Sequence, residues 1–196
     1  MTRIEHIKCP KCGSPVFSKE IDGVILCDSC GTMHARDEAV EIVGFEVGQF
    51  TRPGNGDRAY LPVWVIGVQY RINDISTQGG GVTNLFGLLP AQARDGTITM
   101  YVPAFEPEPA RFKDMAMRMT ASPPKYTAYR LEPGVKRLPC LVTAGQLENM
   151  AEFLFVTSVA EKPGVLQRLD YTLSVTSKRL LYLPYFKKGE ELQPGY

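Results

Sequence analysis

The chain has 196 residues, a formal net charge of +1, 44% hydrophobic residues and 22% charged residues. These proportions are ordinary for a soluble globular protein, so most of the chain should fold. No run reaches the roughly eighteen apolar residues of a membrane helix; the longest candidate, 138–160, is interrupted by Gln146, Glu148, Asn149 and Glu152.

Residues 1–6 lack an apolar run and do not read as a secretory signal. Four of the five cysteines then form two Cys-x-x-Cys pairs, Cys9-Pro10-Lys11-Cys12-Gly13 and Cys27-Asp28-Ser29-Cys30-Gly31, separated by fourteen residues. Each pair offers two thiolates from one tight turn, and the following glycine lets backbone amides fold back toward the sulfurs. Two such turns joined by a hairpin make a tetrahedral four-sulfur site, the geometry of structural zinc. The spacer is one residue shorter than is usual for such double pairs. Strands are expected at 16–19, Val24–Leu26 and Met33–Arg36, with Asp22-Gly23 as the hairpin turn.

This pattern resembles the zinc-ribbon superfamily, with knuckles like those of rubredoxin, over about residues 6–36. The resemblance implies one structural Zn²⁺ held by Cys9, Cys12, Cys27 and Cys30, with a rubredoxin-type iron as the alternative. Rubredoxins space their knuckles more widely and pack several aromatics around the metal, whereas only Phe17 lies between the pairs here. Ribbons of this kind serve transcription factors, ribosomal proteins, helicases, enzymes and adaptors, so the resemblance implies no function. His6 and His34 flank the knuckles and could shield or replace a ligand. Paired thiols with one odd cysteine fit a reducing cytoplasm better than a disulfide framework. Residues 1–42 carry five basic and seven acidic side chains, a poor match for phosphate.

Beyond the ribbon, 39–50 alternates like a strand leading out of it, and the polar turn 52–57 marks a boundary. Residues 73–94 read as an irregular region containing Gly79-Gly80-Gly81 and an apolar run. Val82, Leu85, Phe86, Leu88 and Leu89 in that run either cover the core or dock a partner. Tyr60-Leu61-Pro62-Val63-Trp64, Tyr101-Val102-Pro103-Ala104-Phe105 and Tyr182-Leu183-Pro184-Tyr185-Phe186 share one pattern: Tyr, aliphatic, Pro, any residue, aromatic. In a strand the aliphatic residue faces away from the Tyr and the final aromatic. Each proline is expected at a strand end, an edge or a bulge. The recurrence is a shared structural device, a coincidence, or an aromatic groove for a ligand or peptide.

Two helices are expected. One over 108–120 buries Phe112, Met115, Ala116 and Met119. The other opens on Thr143-Ala144-Gly145-Gln146, buries Leu147, Met150, Ala151, Leu154 and Phe155, and ends before Pro163-Gly164. Segments 171–175 and 178–186 suggest a hairpin turning at Thr176-Ser177. The fold class is therefore α+β, mainly β: an N-terminal zinc ribbon (1–42), a connecting strand and linker (43–57), and a β-rich domain with about two helices (58–196).

A catalytic set is hard to assemble. Only two histidines are present, and neither a P-loop nor a dinucleotide fingerprint occurs. Cys140 is the unpaired thiol, read as a buried inert group or, for an enzyme, a nucleophile. The leading expectation is a cytoplasmic, zinc-binding adaptor or accessory subunit that acts through a protein partner and has no integral membrane segment. The alternative is nucleic-acid binding by 111–137, where seven basic side chains face two acidic ones. There Arg111, Arg118, Lys125 and Arg130 would meet phosphates while Phe112, Tyr126 and Tyr129 stack on bases.

Overall fold

A computed structural model describes residues 7–16, 21–36, 40–78, 94–106, 108–160 and 165–196. Its architecture is α+β and mainly β. A two-stranded ladder pairs β1 (Ile7–Lys8) with β2 (Pro15–Val16). A three-stranded sheet has the order β3 (Val24–Leu26), β4 (Met33–Arg36), β5 (Val40–Val43). The large sheet is built on β7 (Asp57–Gln78) and β11 (Val165–Lys188), which run antiparallel over nearly their whole lengths. β8 (Asp95–Pro103) and β10 (Lys136–Arg137) flank β7. β6 (Phe45–Gly48) and β12 (Glu191–Pro194) flank β11, and β9 (Ala128–Tyr129) pairs with β6.

β3 and β4 have the bounds expected of them. The strand expected over 39–50 is two strands in two sheets, broken at Gly44, whose carbonyl accepts from the Leu180 amide of β11. Irregular structure does not begin at Asn73. β7 continues to Gln78 because β11 stays paired with it there, through register shifts at Leu166/Arg168 and Asp170/Tyr171, down to Val165 opposite Gln78. The apolar run 82–89 lies outside the described residues.

The hairpin expected at Thr176-Ser177 is also overturned: β11 passes straight through, with a register shift between Val175 and Ser177. The extra residue is absorbed opposite Gly67, whose carbonyl accepts from the Thr176 hydroxyl at 3.2 Å. A Cβ on Gly67 would lie 2.5 Å from Ser177 Oγ, so the bulge fits where its partner strand has no side chain.

The three Tyr-x-Pro-x-aromatic segments meet on adjacent strands. Leu61 lies opposite Leu183, Tyr60 opposite Pro184 and Pro62 opposite Tyr182, an arrangement with local two-fold symmetry. Pro103 ends β8, as expected, but Pro62 and Pro184 lie inside long strands. Their tolerance has a geometric reason. A residue's N–H and C=O point to the same side of a strand, and the Pro62 and Pro184 carbonyls accept from Ala104 and Gly195. Their missing N–H groups therefore face away from the β7–β11 ladder. On that side β7 exchanges β10, paired through Tyr60, for β8, paired from Val63. β11 exchanges β6, paired through Tyr182, for β12, paired from Tyr185. Each proline occupies a gap between two partner strands, where no ladder donor is required.

The alternation divides the core. Tyr60, Trp64 and Tyr182 belong to one buried cluster, while Leu61, Leu183, Tyr101, Phe105 and Tyr185 belong to another. Helix α1 (Pro109–Ala121) is capped by Glu108, whose carboxylate accepts from the Ala110 and Arg111 amides. It buries Phe112, Ala116 and Met119, and its Thr120 hydroxyl accepts from the Tyr101 amide, closing the outer edge of β8. Helix α2 (Leu147–Ala160) follows a 3₁₀ turn at Ala144–Gln146 and wedges Phe155 between Tyr70 and Tyr171, with ring centroids 5.3 and 5.2 Å away. Among the described residues no helix is long and apolar enough to cross a membrane.

The cysteine module shares this core. Val24, Met33, Ala35 and Val43 pack in the same cluster as Tyr60, Trp64 and Tyr182. The turn 52–57 is likewise fastened: the Thr51 and Arg52 amides donate to Gly195 O, and Gly56, at φ +123°, leaves 2.5 Å between an added Cβ and Lys187 O. Gly56→Ala is expected to cost about 2–3 kcal/mol and lower the melting temperature by roughly 5–10 °C, measured by thermal denaturation.

Candidate metal centre

The two knuckles repeat one backbone design. The Gly13 amide donates to Cys9 O and the Gly31 amide to Cys27 O, both at 2.8 Å. The Cys9 amide donates to Ser14 O and the Cys27 amide to Thr32 O, both at 2.9 Å. Gly13 (φ +72°) and Gly31 (φ +68°) are left-handed, and a Cβ at either would meet nothing within 4 Å. Backbone conformation, not crowding, asks for glycine at both positions.

These turns bring together the four sulfurs of Cys9, Cys12, Cys27 and Cys30, all within 4.8 Å of one another. Two close separations cross between knuckles: Cys9 to Cys30 is 3.7 Å and Cys12 to Cys27 is 3.6 Å. These are far from disulfide lengths, which are near 2.05 Å. Four thiolates at about 2.3 Å from one tetrahedral ion would be about 3.8 Å apart. The four sulfurs could therefore hold a metal ion, and neither knuckle completes the set alone.

Its electrostatics are uneven. Hydrogen bonds from the Ser14 side chain and amide hold the Cys12 thiol down, to about 6. Thr32, whose hydroxyl is 3.2 Å from Cys30 Sγ, lowers the Cys30 thiol. Burial pushes Cys27 up to about 11. A cation among the four sulfurs offsets that desolvation.

His34 sits beside this site but is not one of the four grouped ligands. Its ring is fully buried, and neither nitrogen has a hydrogen-bond partner among the described residues. Burial lowers its pKa. An unfolded histidine takes up a proton below about pH 6.5 while the buried ring resists it, so stability is full above that pH and falls as pH drops toward the lowered value. His34→Leu is therefore expected to raise the melting temperature more at about pH 5.5 than at about pH 8. His6 lies outside the described residues.

Cys140 is fully buried, donates to Val142 O at 3.2 Å, and has its thiol pushed up to about 12 by burial. It is a neutral packed group rather than a thiolate.

Several residues of the basic stretch 111–137 are engaged elsewhere, although Arg111 and Arg118 line one shallow groove on α1. Phe112 is 8% exposed, so its face is not open to a base. Arg111 pairs with Glu106 and Glu190, and Arg118 donates to Asp114 O. Tyr126 donates to Glu46, which also pairs with Arg179 at 2.6 Å. Lys125 is exposed. Arg130 lies over the exposed Tyr129 ring, 5.9 Å from its centroid. Sequence reasoning placed Arg137 in this basic stretch and Asp22 in a turn; the structure joins them in a half-buried pair, at 3.5 Å. Only their residue types hinted at it, since 115 residues separate them. Comparisons with protein-family models, with curated proteins and with solved structures found no match.

Proposed function

We propose that Cys9, Cys12, Cys27 and Cys30 hold one structural zinc ion in a zinc ribbon, and that the protein is a non-catalytic adaptor or accessory subunit acting through protein–protein contacts. The sulfur geometry carries the zinc assignment: separations of 3.6–3.7 Å from four soft donors match a tetrahedral ion. With four protein ligands the ion has no open position for water, so its contribution is to hold together a module with little core of its own.

The interaction surface is supported by exposure. Ile21 is 62% exposed and Ile42 55%, large apolar side chains that both belong to the ribbon. Ile42 lies opposite His34 on β4, which in turn lies opposite Ile25 on β3, so these three share one sheet face. The opposite face, with Met33 and Ala35, is already committed to the core. Ile25 and His34 are covered, so Ile42 is the exposed apolar position of that face and, with Ile21, the part of the ribbon open to contact.

The test is capture of the tagged protein from its native extract with and without nuclease. A stoichiometric protein partner that survives nuclease and is lost in Ile42→Asp is the expected outcome. Retained nucleic acid whose binding weakens with salt would instead favour the second reading, in which Arg130 stacked on exposed Tyr129 forms a nucleic-acid contact.

A further inference from the structure

We infer that occupancy of the four-cysteine site controls the order of residues 136–143 and of the start of α2, with Asp22 as the coupling residue. The inference rests on the reading that a metal binds the four cysteines.

Asp22 and Gly23, immediately before β3 and at the open end of the β3–β4 hairpin, where the Arg36 amide donates to Gly23 O at 2.8 Å, grip this strap from one side. Asp22 Oδ1 accepts from the Cys140 amide at 2.9 Å and from the Val24 amide at 3.3 Å, and Oδ2 faces the Arg137 guanidinium at 3.5 Å. The Gly23 amide donates to Cys140 O at 2.7 Å, and a Cβ on Gly23 would lie 3.1 Å from that oxygen and 3.2 Å from Thr143 Cγ2. Arg137 also donates to the Tyr182 hydroxyl at 2.7 Å, which is 3.6 Å from Met33 Sδ on β4. The Asp22 and Arg137 side chains are only 13% and 22% exposed.

The same strap grips the main core from its other side. Val142 O accepts from Trp64 Nε1 at 2.8 Å, and the Thr143 amide donates to Gln146 Oε1 at 2.9 Å in the turn that opens α2. Among the described residues, the cluster around the four sulfurs has only Cys9, Val16, Ile25 and Cys27 fully buried, two apolar side chains and two of the cysteines themselves. Without the ion, four apposed thiols and so small a core cannot hold the two knuckles together, and the start of β3 loosens with them. When Asp22 and Gly23 move away, Cys140 N–H, Cys140 O and Arg137 lose buried partners together. The strap then gains by moving toward water, which loosens the Trp64 contact and the first turn of α2.

Trp64 is the chain's single tryptophan, so its emission reports on this strap directly. The experiment strips the full chain with a chelator, restores zinc, and follows metal content, Trp64 emission and hydrogen exchange over 136–160. The expected result is a red shift and exchange at least about tenfold faster over 136–160, both reversed by zinc. In Asp22→Ala, or the milder Asp22→Asn, the metal stays bound while exchange over 136–143 is fast with or without it. A wild-type chain that loses its metal with Trp64 and 136–160 unchanged overturns the inference alone, as does an Asp22→Ala protein with the full metal response. A chain that takes up no metal overturns the metal reading and the inference with it.

Discussion

Cys27→Ser is expected to reduce metal content from one ion per chain to near zero and to destabilise the whole protein, not the N-terminal module alone. Cys27 is the most buried of the four cysteines and lies 3.6 Å from Cys12 in the other knuckle, so its loss is expected to separate the two turns. A serine hydroxyl is a harder donor than a thiolate and is not ionised at neutral pH, and metal binding in such modules is folding free energy. Val24, Met33 and Ala35 belong to the cluster around Trp64 and Tyr182, so disorder in β3 and β4 removes packing from the large sheet. Removing a few such buried side chains costs about 2–5 kcal/mol each, comparable with total stabilities of about 5–15 kcal/mol. Urea denaturation followed by circular dichroism should show a midpoint well below that of the parent chain. By the same reasoning, a chain lacking residues 1–42 should fail to fold. Two separate transitions, with the second unchanged, would show the module to be independent.

Leu183→Ala should cost about 2–5 kcal/mol. Leu183 is fully buried, packs with Tyr101, Phe105 and Tyr185, and lies opposite Leu61 at the centre of the local two-fold arrangement. The loss corresponds to a fall of roughly 5–15 °C in melting temperature. Because Leu61 is its direct cross-strand neighbour, Leu61→Ala and Leu183→Ala together should fall short of additivity by about 0.5–1 kcal/mol. Strict additivity would mean that the two leucines do not share one packing site.

The parts legible in the sequence were those decided locally. Cys-x-x-Cys-Gly specifies a turn in five residues, and the apolar spacing of 108–120 specifies a helix, found at Pro109–Ala121 with Glu108 as its cap. The parts that were not legible depend on partners far along the chain. Thr176-Ser177 reads as a turn because both residues suit one, and only Gly67 across the ladder makes room for a bulge instead. Pro62 and Pro184 read as strand ends because a proline lacks a donor; nothing nearby announces that a neighbouring strand stops beside each of them. Phe112 serves equally as a helix's buried stripe and as a stacking ring until the packing is known. Asp22 and Arg137 look like surface charges until the start of β3 meets the strap. The grouping of the four cysteines was therefore legible, and its attachment to the body was not.

The most direct test of the account is native mass spectrometry of the protein purified without added metal, paired with elemental analysis. The account predicts one zinc per chain, lost only when a chelator or acid displaces it, with all five cysteines reduced. A chain carrying iron, no metal, or a disulfide between any of Cys9, Cys12, Cys27 and Cys30 would contradict it.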